Sequence, residues 1–448
     1  MRYLPQTEDD IRKICESIGI KASAELFQTI PQSLKLKGPL NLPPALSEQD
    51  LLTHLKQLSR TNETVDHYSS FLGAGAYHHY IPVAVWYLAS RGEFATSYTP
   101  YQAELSQGTL QAIFEFQTMV ASLLGLDVAN SSNYDGATAL AEAVLMTLRI
   151  KKKKKVLLAK SIHPEYREVV KTNLKNLNHE ICEFGWEESG KINLEELKKL
   201  LGEDCAAVCV QNPNFFGSVE DLKKIAELVH GRNALLVVAS GDPVSLGLLA
   251  SPGSCGADVA VAEGQSFGNF LNFGGPYLGL FATKKEYIRQ MPGRLVGETL
   301  DMDGKRGYVL TMNTREQHIR REKATSNICT NQSLCALAAS IHLSLLGPQG
   351  LRKVAEMNLS KSEYLKKKLL QISGVKLLFN GNSFNEFTFQ VSKPAHEVLE
   401  KLKSKKIFGG ISIEKYYPEL KNTLLICTTE MNKKEELDQF AEELRQIL

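Results

Sequence analysis

The sequence predicts an α/β protein: a large domain on a mostly parallel sheet, a smaller C-terminal α+β domain and a helical N-terminal arm. Three observations carry this. Between residues 110 and 290, short apolar runs bounded by turns alternate with amphipathic helical stretches, as in a parallel sheet with helices on both faces. After residue 348 the pattern changes to short strands between helices, the character of an antiparallel α+β unit. The chain, at 448 residues, is too long for one compact core.

In chain order, the arm (residues 1–62) reads as helical. Thr7 with Asp10 and Ser47 with Asp50 resemble N-caps followed by apolar residues at helical spacing, and Pro39, Pro43 and Pro44 mark an irregular connection. Packing against a partner subunit would suit such an arm. The large domain (63–347) predicts helices at 110–125, 136–150, 164–177, 193–201 and 219–230, and strands at 156–159, 180–184, 206–210 and 235–239. Active sites in such sheets lie beyond the carboxyl ends of the strands. That points to Gln211-Asn212-Pro213-Asn214, Ser240-Gly241-Asp242-Pro243 and Gly264-Gln265-Ser266. The C-terminal domain (348–448) predicts a helix at 350–371, strands at 375–378 and 385–391, a helix at 394–404, strands at 411–413 and 423–428, and a closing helix.

Composition narrows the function classes. With 43% apolar and 23% charged residues and a formal charge of +2, nothing in the totals argues for nucleic acid or a membrane surface. The lysine run 151–155 lacks interleaved aromatics and reads as a solvated loop. No uninterrupted apolar run approaches the ~20 residues that span a bilayer. Met1 to Pro5, followed by Glu8-Asp9-Asp10, is unlike a signal peptide, so a cytoplasmic location is expected. The eight cysteines form no CxxC pair and read as reduced core thiols.

Three segments are dense in chemically useful groups. Phe71 to Tyr80, with Tyr98-Thr99-Pro100-Tyr101-Gln102 and Ser106-Gln107-Gly108, combines glycines, imidazoles and phenols. It suits either a ligand loop or a subunit interface. Val261 to Gly268, running on to Gly274-Gly275-Pro276, is a glycine-rich loop without the GxxxxGK[ST] or GxGxxG spacing. Thr314 to Ile328 packs arginine, histidine, hydroxyl and amide groups together, suiting phosphate or carboxylate binding or a salt-bridged loop.

Tyr98 to Gln102, Ser106 to Gly108, Gly274 to Pro276 and Thr314 to Asn331 together resemble the glycine cleavage system P-protein family. The resemblance is to its N-terminal half, in many bacteria a separate first subunit. It implies the fold of the pyridoxal-phosphate-dependent transferases of fold type I. It also implies an enzyme, an aminomethyl-transferring glycine dehydrogenase, that acts only with a second subunit in an α2β2 assembly. Such an enzyme decarboxylates glycine with pyridoxal phosphate and passes the aminomethyl group to the lipoyl arm of the H-protein. In the family's catalytic half the imine-forming lysine lies in a Lys-Thr-Phe stretch before a Gly-Pro turn. Here Gln265-Ser266-Phe267 takes that position, and an amide cannot form the imine. Lys284 and Lys285 are expected to face solvent.

The resemblance therefore puts no catalytic residue in this chain and the cofactor, covalently held, on the partner. Asp242, where such enzymes place an acid against the pyridine nitrogen, becomes a relic or a structural residue. The residues expected to be lent across the boundary are Tyr98 and Tyr101 near the substrate and Thr325, Ser326 and Asn327 near the cofactor phosphate. Arg315, Arg320 and His318 are expected to line the lipoyl path or bind a carboxylate. The vestigial site either keeps a pocket or is filled by Phe267 and Phe270. Two other readings stand beside this one. A non-catalytic scaffold or regulatory paralogue has no need of the polar loops. A self-sufficient pyridoxal-phosphate enzyme conflicts with Gln265.

Overall fold

The computed structural model describes residues 6–96, 98–329 and 331–448. The reading of Met1 to Pro5 lies outside them, as does Thr330 of the 314–331 segment. The chain divides between Glu63 and Thr64 into two compact units.

In the first unit, α1 (Glu8–Ser17) starts at a reciprocal cap: Thr7 Oγ accepts from Asp10 N (3.2 Å) and Thr7 N donates to the Asp10 carboxylate (2.8 Å). Ser47 begins α2 (Glu48–Ser59) by accepting from Asp50 N. Ile11, Ile14 and Ile18 of the α1 region and Leu51, Leu52, Leu55 and Leu58 of α2 are exposed.

The second unit is organised by a seven-stranded sheet. Its strands are β1 (Val128–Ala129), β2 (Lys155–Ala159), β3 (Glu180–Phe184), β4 (Cys205–Gln211), β5 (Leu235–Ser240), β6 (Val259–Glu263) and β7 (Gly279–Thr283), in the order β1-β7-β6-β5-β4-β2-β3. The pairings from β3 to β6 are parallel, and β7 runs antiparallel to both β6 and β1. Every residue of β4, β5, β6 and β7 is buried, so these strands read as unbroken apolar runs. Before β1 come α3 (Val83–Ala89) and α4 (Gln107–Leu124), and the connections from β1 to β5 carry α5 (Gly136–Lys151), α6 (Pro164–Leu174), α7 (Leu194–Leu200) and α8 (Leu222–His230). At the amino end of β2 the lysine run is more than a solvated loop: Lys153 Nζ donates to the carbonyls of Cys205 and Asn233, and Lys155 Nζ to that of Leu200.

A hairpin, β8 (Leu295–Leu300) and β9 (Arg306–Thr311), was not foreseen. α9 (Ser333–Leu369) begins well before the expected 350. It is two helical segments meeting at Gly347, whose φ of 59° and ψ of 177° break the ladder ahead of Pro348. α9 is long and apolar enough to meet the length and composition of a membrane span, as buried core helices also can. Here Ala336, Ala338, Ala339, Ala355 and Leu365 are buried within the protein.

The C-terminal sheet, β10 (Val375–Leu377), β11 (Glu386–Val391), β12 (Ile411–Ser412) and β13 (Thr423–Cys427), is antiparallel in the order β10-β11-β13-β12. Its core sets Phe387, Phe389 and Ile426 against Val398 and Leu402 of α10 (Ala395–Ser404) and Leu437 and Phe440 of α11 (Lys434–Ile447). The cysteines are free; Cys15, Cys205, Cys209, Cys335 and Cys427 are buried. Cys182 and Cys255 are half-buried and Cys329 is exposed, which corrects the expectation for those three.

Candidate active-site region

The carboxyl ends of β5 and β6 carry the positions singled out by the sequence. Gln265 is buried with both ends of its amide engaged: the oxygen accepts from Tyr77 N (2.9 Å) and the nitrogen donates to Asn269 O (2.8 Å). Of the two phenylalanines expected to fill this space, Phe267 is fully buried, whereas Phe270 is 57% exposed and stacks on Trp86. Lys284 does not simply face solvent, because its amine is paired with the buried Asp258 carboxylate, which also holds His230. Lys285 is exposed.

Asp242 is surrounded by partners. Oδ1 accepts from Ser266 Oγ (2.9 Å) and Val244 N (3.2 Å), and Oδ2 accepts from Asn385 Nδ2 (2.7 Å) and lies 3.1 Å from His79 Nε2. The other imidazole nitrogen, His79 Nδ1, is 2.8 Å from Glu430 Oε2. Burial opposes a charge on His79, but the flanking Asp242 and Glu430 carboxylates raise it to about 10. The ring is therefore an imidazolium donating to both. Next to this, Glu386 accepts from Ala74 N (2.6 Å) and from the Tyr77 hydroxyl (2.9 Å), and burial pushes its carboxyl up to about 7.

The N-terminus of α5 is filled as well. Asp135 takes the Thr138 amide (2.7 Å), and Glu263 accepts from Gly136 N (2.9 Å) while its other oxygen accepts from Gln265 N and Leu278 N. A Cβ on Gly136 would sit 2.4 Å from the Tyr166 hydroxyl, so the packing here is tight. Burial raises Glu263 to about 8 against those three N–H donors.

A covalently held, phosphorylated pyridine cofactor needs an amine, a free acid at its ring nitrogen and an open anion cradle. This chain has an amide, an acid closed over by His79, Ser266 and Asn385, and a helix terminus occupied by the Glu263 carboxyl group. The residues present do not fit pyridoxal phosphate. Asp242 is structural here, one of the two roles expected for it.

The polar loops form a second region. Tyr101 is 56% exposed, and its hydroxyl accepts from Arg294 Nη2 (2.9 Å). Arg294 is buried and pairs at 3.8 Å with Glu316, whose carboxylate also lies 3.8 Å from His318 Nδ1. The Tyr101 and His318 rings meet edge-on at 6.3 Å. Two distant motifs thus converge on Arg294, a residue that no motif flagged. Arg315 corrects the expectation made for it: each guanidinium nitrogen donates to a carbonyl, of Met312 (3.2 Å), Met291 and Gly293 (3.0 Å). It braces the turn before β8 and does not face a ligand. Arg320 is exposed and donates through Nε to Thr314 O. Thr325, Ser326 and Asn327 line a cavity of about 260 Å³ with Glu142 and Arg321. Tyr98, 82% exposed, borders a separate cavity of about 280 Å³ walled by Phe94, Ile113, Phe116 and Leu337. Neither cavity is lined by Tyr101.

Comparison with known proteins gives a consistent picture. The sequence model of the glycine cleavage system P-protein family matches residues 1–444. A protein of Desulfitobacterium hafniense named probable glycine dehydrogenase (decarboxylating) subunit 1 is 50% identical over 447 residues, with all of both chains covered. A crystal structure of glycine decarboxylase (P-protein) of the glycine cleavage system, in inhibitor-bound form, superposes with a TM-score of 0.92 at 44% identity, again covering both chains entirely. A NifS-like protein superposes with a TM-score of 0.65 at 15% identity over 85% of this chain and 99% of its own, a likeness of fold alone.

Proposed function

The chain belongs to the glycine cleavage system P-protein family, and from that premise we propose that it supplies the cofactor-free wall of an active site completed by a second subunit. Its fold is that of the fold type I pyridoxal-phosphate enzymes, and its function is that of a subunit of decarboxylating glycine dehydrogenase. In the proposed assembly, an α2β2 heterotetramer in the cytoplasm, the partner subunit binds pyridoxal phosphate covalently. The lipoyl group of the H-protein receives the aminomethyl fragment.

The observation that carries this reading is the closure of the chain's own cofactor position by Gln265, Glu263 and the His79–Asp242 contact. A chain that cannot hold the cofactor contributes to the reaction through surface residues. Tyr98 and Tyr101 are offered to the substrate. Thr325, Ser326 and Asn327 are offered to the phosphate of the partner's cofactor, and His318 and Arg320 to the lipoyl path. Hydroxyl, amide and guanidinium donors suit anionic groups, and an exposed phenol presents a rigid amphipathic contact.

The test is reconstitution. Incubated with pyridoxal phosphate and then freed of unbound cofactor, this chain retains no imine absorbance. With the second subunit added, the mixture exchanges the glycine carboxyl group with bicarbonate. Cofactor colour in this chain alone would sink the reading. Exchange by the second subunit that does not change when this chain is added would leave only a scaffold.

A further inference from the structure

We propose that Arg294 is a positioning residue that fixes Tyr101 as a hydrogen-bond donor to the substrate, with Glu316 holding the guanidinium in place. This rests on the reading that Tyr101 reaches the substrate in the assembled enzyme.

Arginine has only donors, so in the 2.9 Å contact from Arg294 Nη2 the Tyr101 oxygen must be the acceptor. The phenol's own proton is thereby directed away from Arg294, on a side chain 56% exposed. No other hydrogen bond engages that hydroxyl among the described residues. The guanidinium carbon lies 5.0 Å from the Tyr101 ring centroid, so the ring plane is fixed as well. A phenol that accepts from a cation donates more strongly in turn. Such a donor matches an acceptor with negative charge, such as the carboxylate of an amino-acid substrate.

Glu316 gives the arrangement its rigidity. Arg294 and Glu316 are both buried, and their 3.8 Å ion pair lies behind Tyr101. Arg294 Nε and Glu316 Oε1 have no hydrogen-bond partner. This pair is therefore held by charge and by its neighbours rather than by a saturated network. The same carboxylate leans towards His318. One buried acid thus lies beside His318 directly and beside Tyr101 through Arg294, two side chains from motifs more than two hundred residues apart. Among the described residues, no hydrogen bond is made by the Tyr98 hydroxyl, which is 82% exposed.

The experiment uses the complex of this chain with the second subunit and measures kcat and KM for glycine in carboxyl exchange. The variants are Tyr101→Phe, Arg294→Lys and the two combined. Lysine keeps the buried positive charge opposite Glu316 but loses the flat fork. Each single variant is expected to raise KM for glycine roughly ten-fold, the scale of a hydrogen bond to a charged group, with kcat and melting temperature little changed. The double variant is expected to be no worse than either single one. If Tyr101→Phe has no effect, the reading that Tyr101 reaches substrate fails, and this proposal with it. If Tyr101→Phe is impaired and Arg294→Lys is not, the proposal alone fails. Independent, multiplying effects also overturn it. Should Arg294→Lys not assemble, Arg294→Gln with Glu316→Gln removes the buried pair together and is judged by the same comparison.

Discussion

Gln265 shows how much a single buried side chain can decide. Its amide serves the Tyr77 N–H and the Asn269 carbonyl at once. Lysine at this position would restore an amine but leave the Asn269 and Tyr77 groups without their present partners, at about 1–3 kcal/mol for each buried group. A Gln265→Lys chain is therefore expected to lose stability by a few kcal/mol in chemical denaturation. It is also expected to show no visible absorbance from an imine-bound cofactor after incubation with pyridoxal phosphate. Colour would mean that the Glu263 and His79 contacts are not the barrier described. The missing amine was legible in the sequence because it is one letter within a motif. The fate of Asp242 was not, since its partners His79, Ser266 and Asn385 come from three separate stretches. Arg294 stayed hidden for a similar reason. Its meaning lies in Tyr101 and Glu316, to which only the fold brings it.

At the scale of elements, the predicted strand positions agree with β2 to β5 within a residue or two; β2, β4 and β5 are buried and readable as apolar runs, whereas β3 is a half-buried edge strand. The β8–β9 hairpin escaped because its far end, Glu298 to Leu300 and Arg306, is exposed and carries neither a clean alternation nor an apolar run. The start of α9 escaped because Gly347-Pro348 resembles a helix boundary. Both segments around it are helical, and the glycine absorbs the turn with a backbone pair that only glycine adopts readily. Gly347→Ala has open space for its methyl group, so the whole effect should come from the backbone. A loss of about 1–3 kcal/mol in urea unfolding is expected, and an unchanged midpoint would show that the kink relaxes without cost.

Across the whole second unit, the contacts around Asp242 join the large sheet to the C-terminal one. Asp242 follows β5, Asn385 and Glu386 open β11, Glu430 follows β13, and His79 and Tyr77 lie between them. The charge on His79 makes this junction pH-dependent. Its folded value, about 10, exceeds the ordinary 6.5, so its contribution is complete below 6.5. From there it declines as pH rises and is gone above about 10, at a slope near 1.4 kcal/mol per pH unit. Melting temperatures between pH 7 and 10 are expected to fall, and a His79→Gln chain should lose that part of the slope. Equal slopes in both chains would place the imidazolium elsewhere.

The junction also gives the fold a memory. In a cofactor-binding ancestor, the positions of Asp242, Gln265 and the α5 terminus would have been open, whereas here each completes a neighbour's hydrogen bonding. Reopening any one of them strands buried partners before any benefit appears, and a functional site returns only when all three have changed. Selection acting one substitution at a time therefore meets a valley on the way back. The loss of an amine at position 265 is, in this chain, held in place by the packing around it.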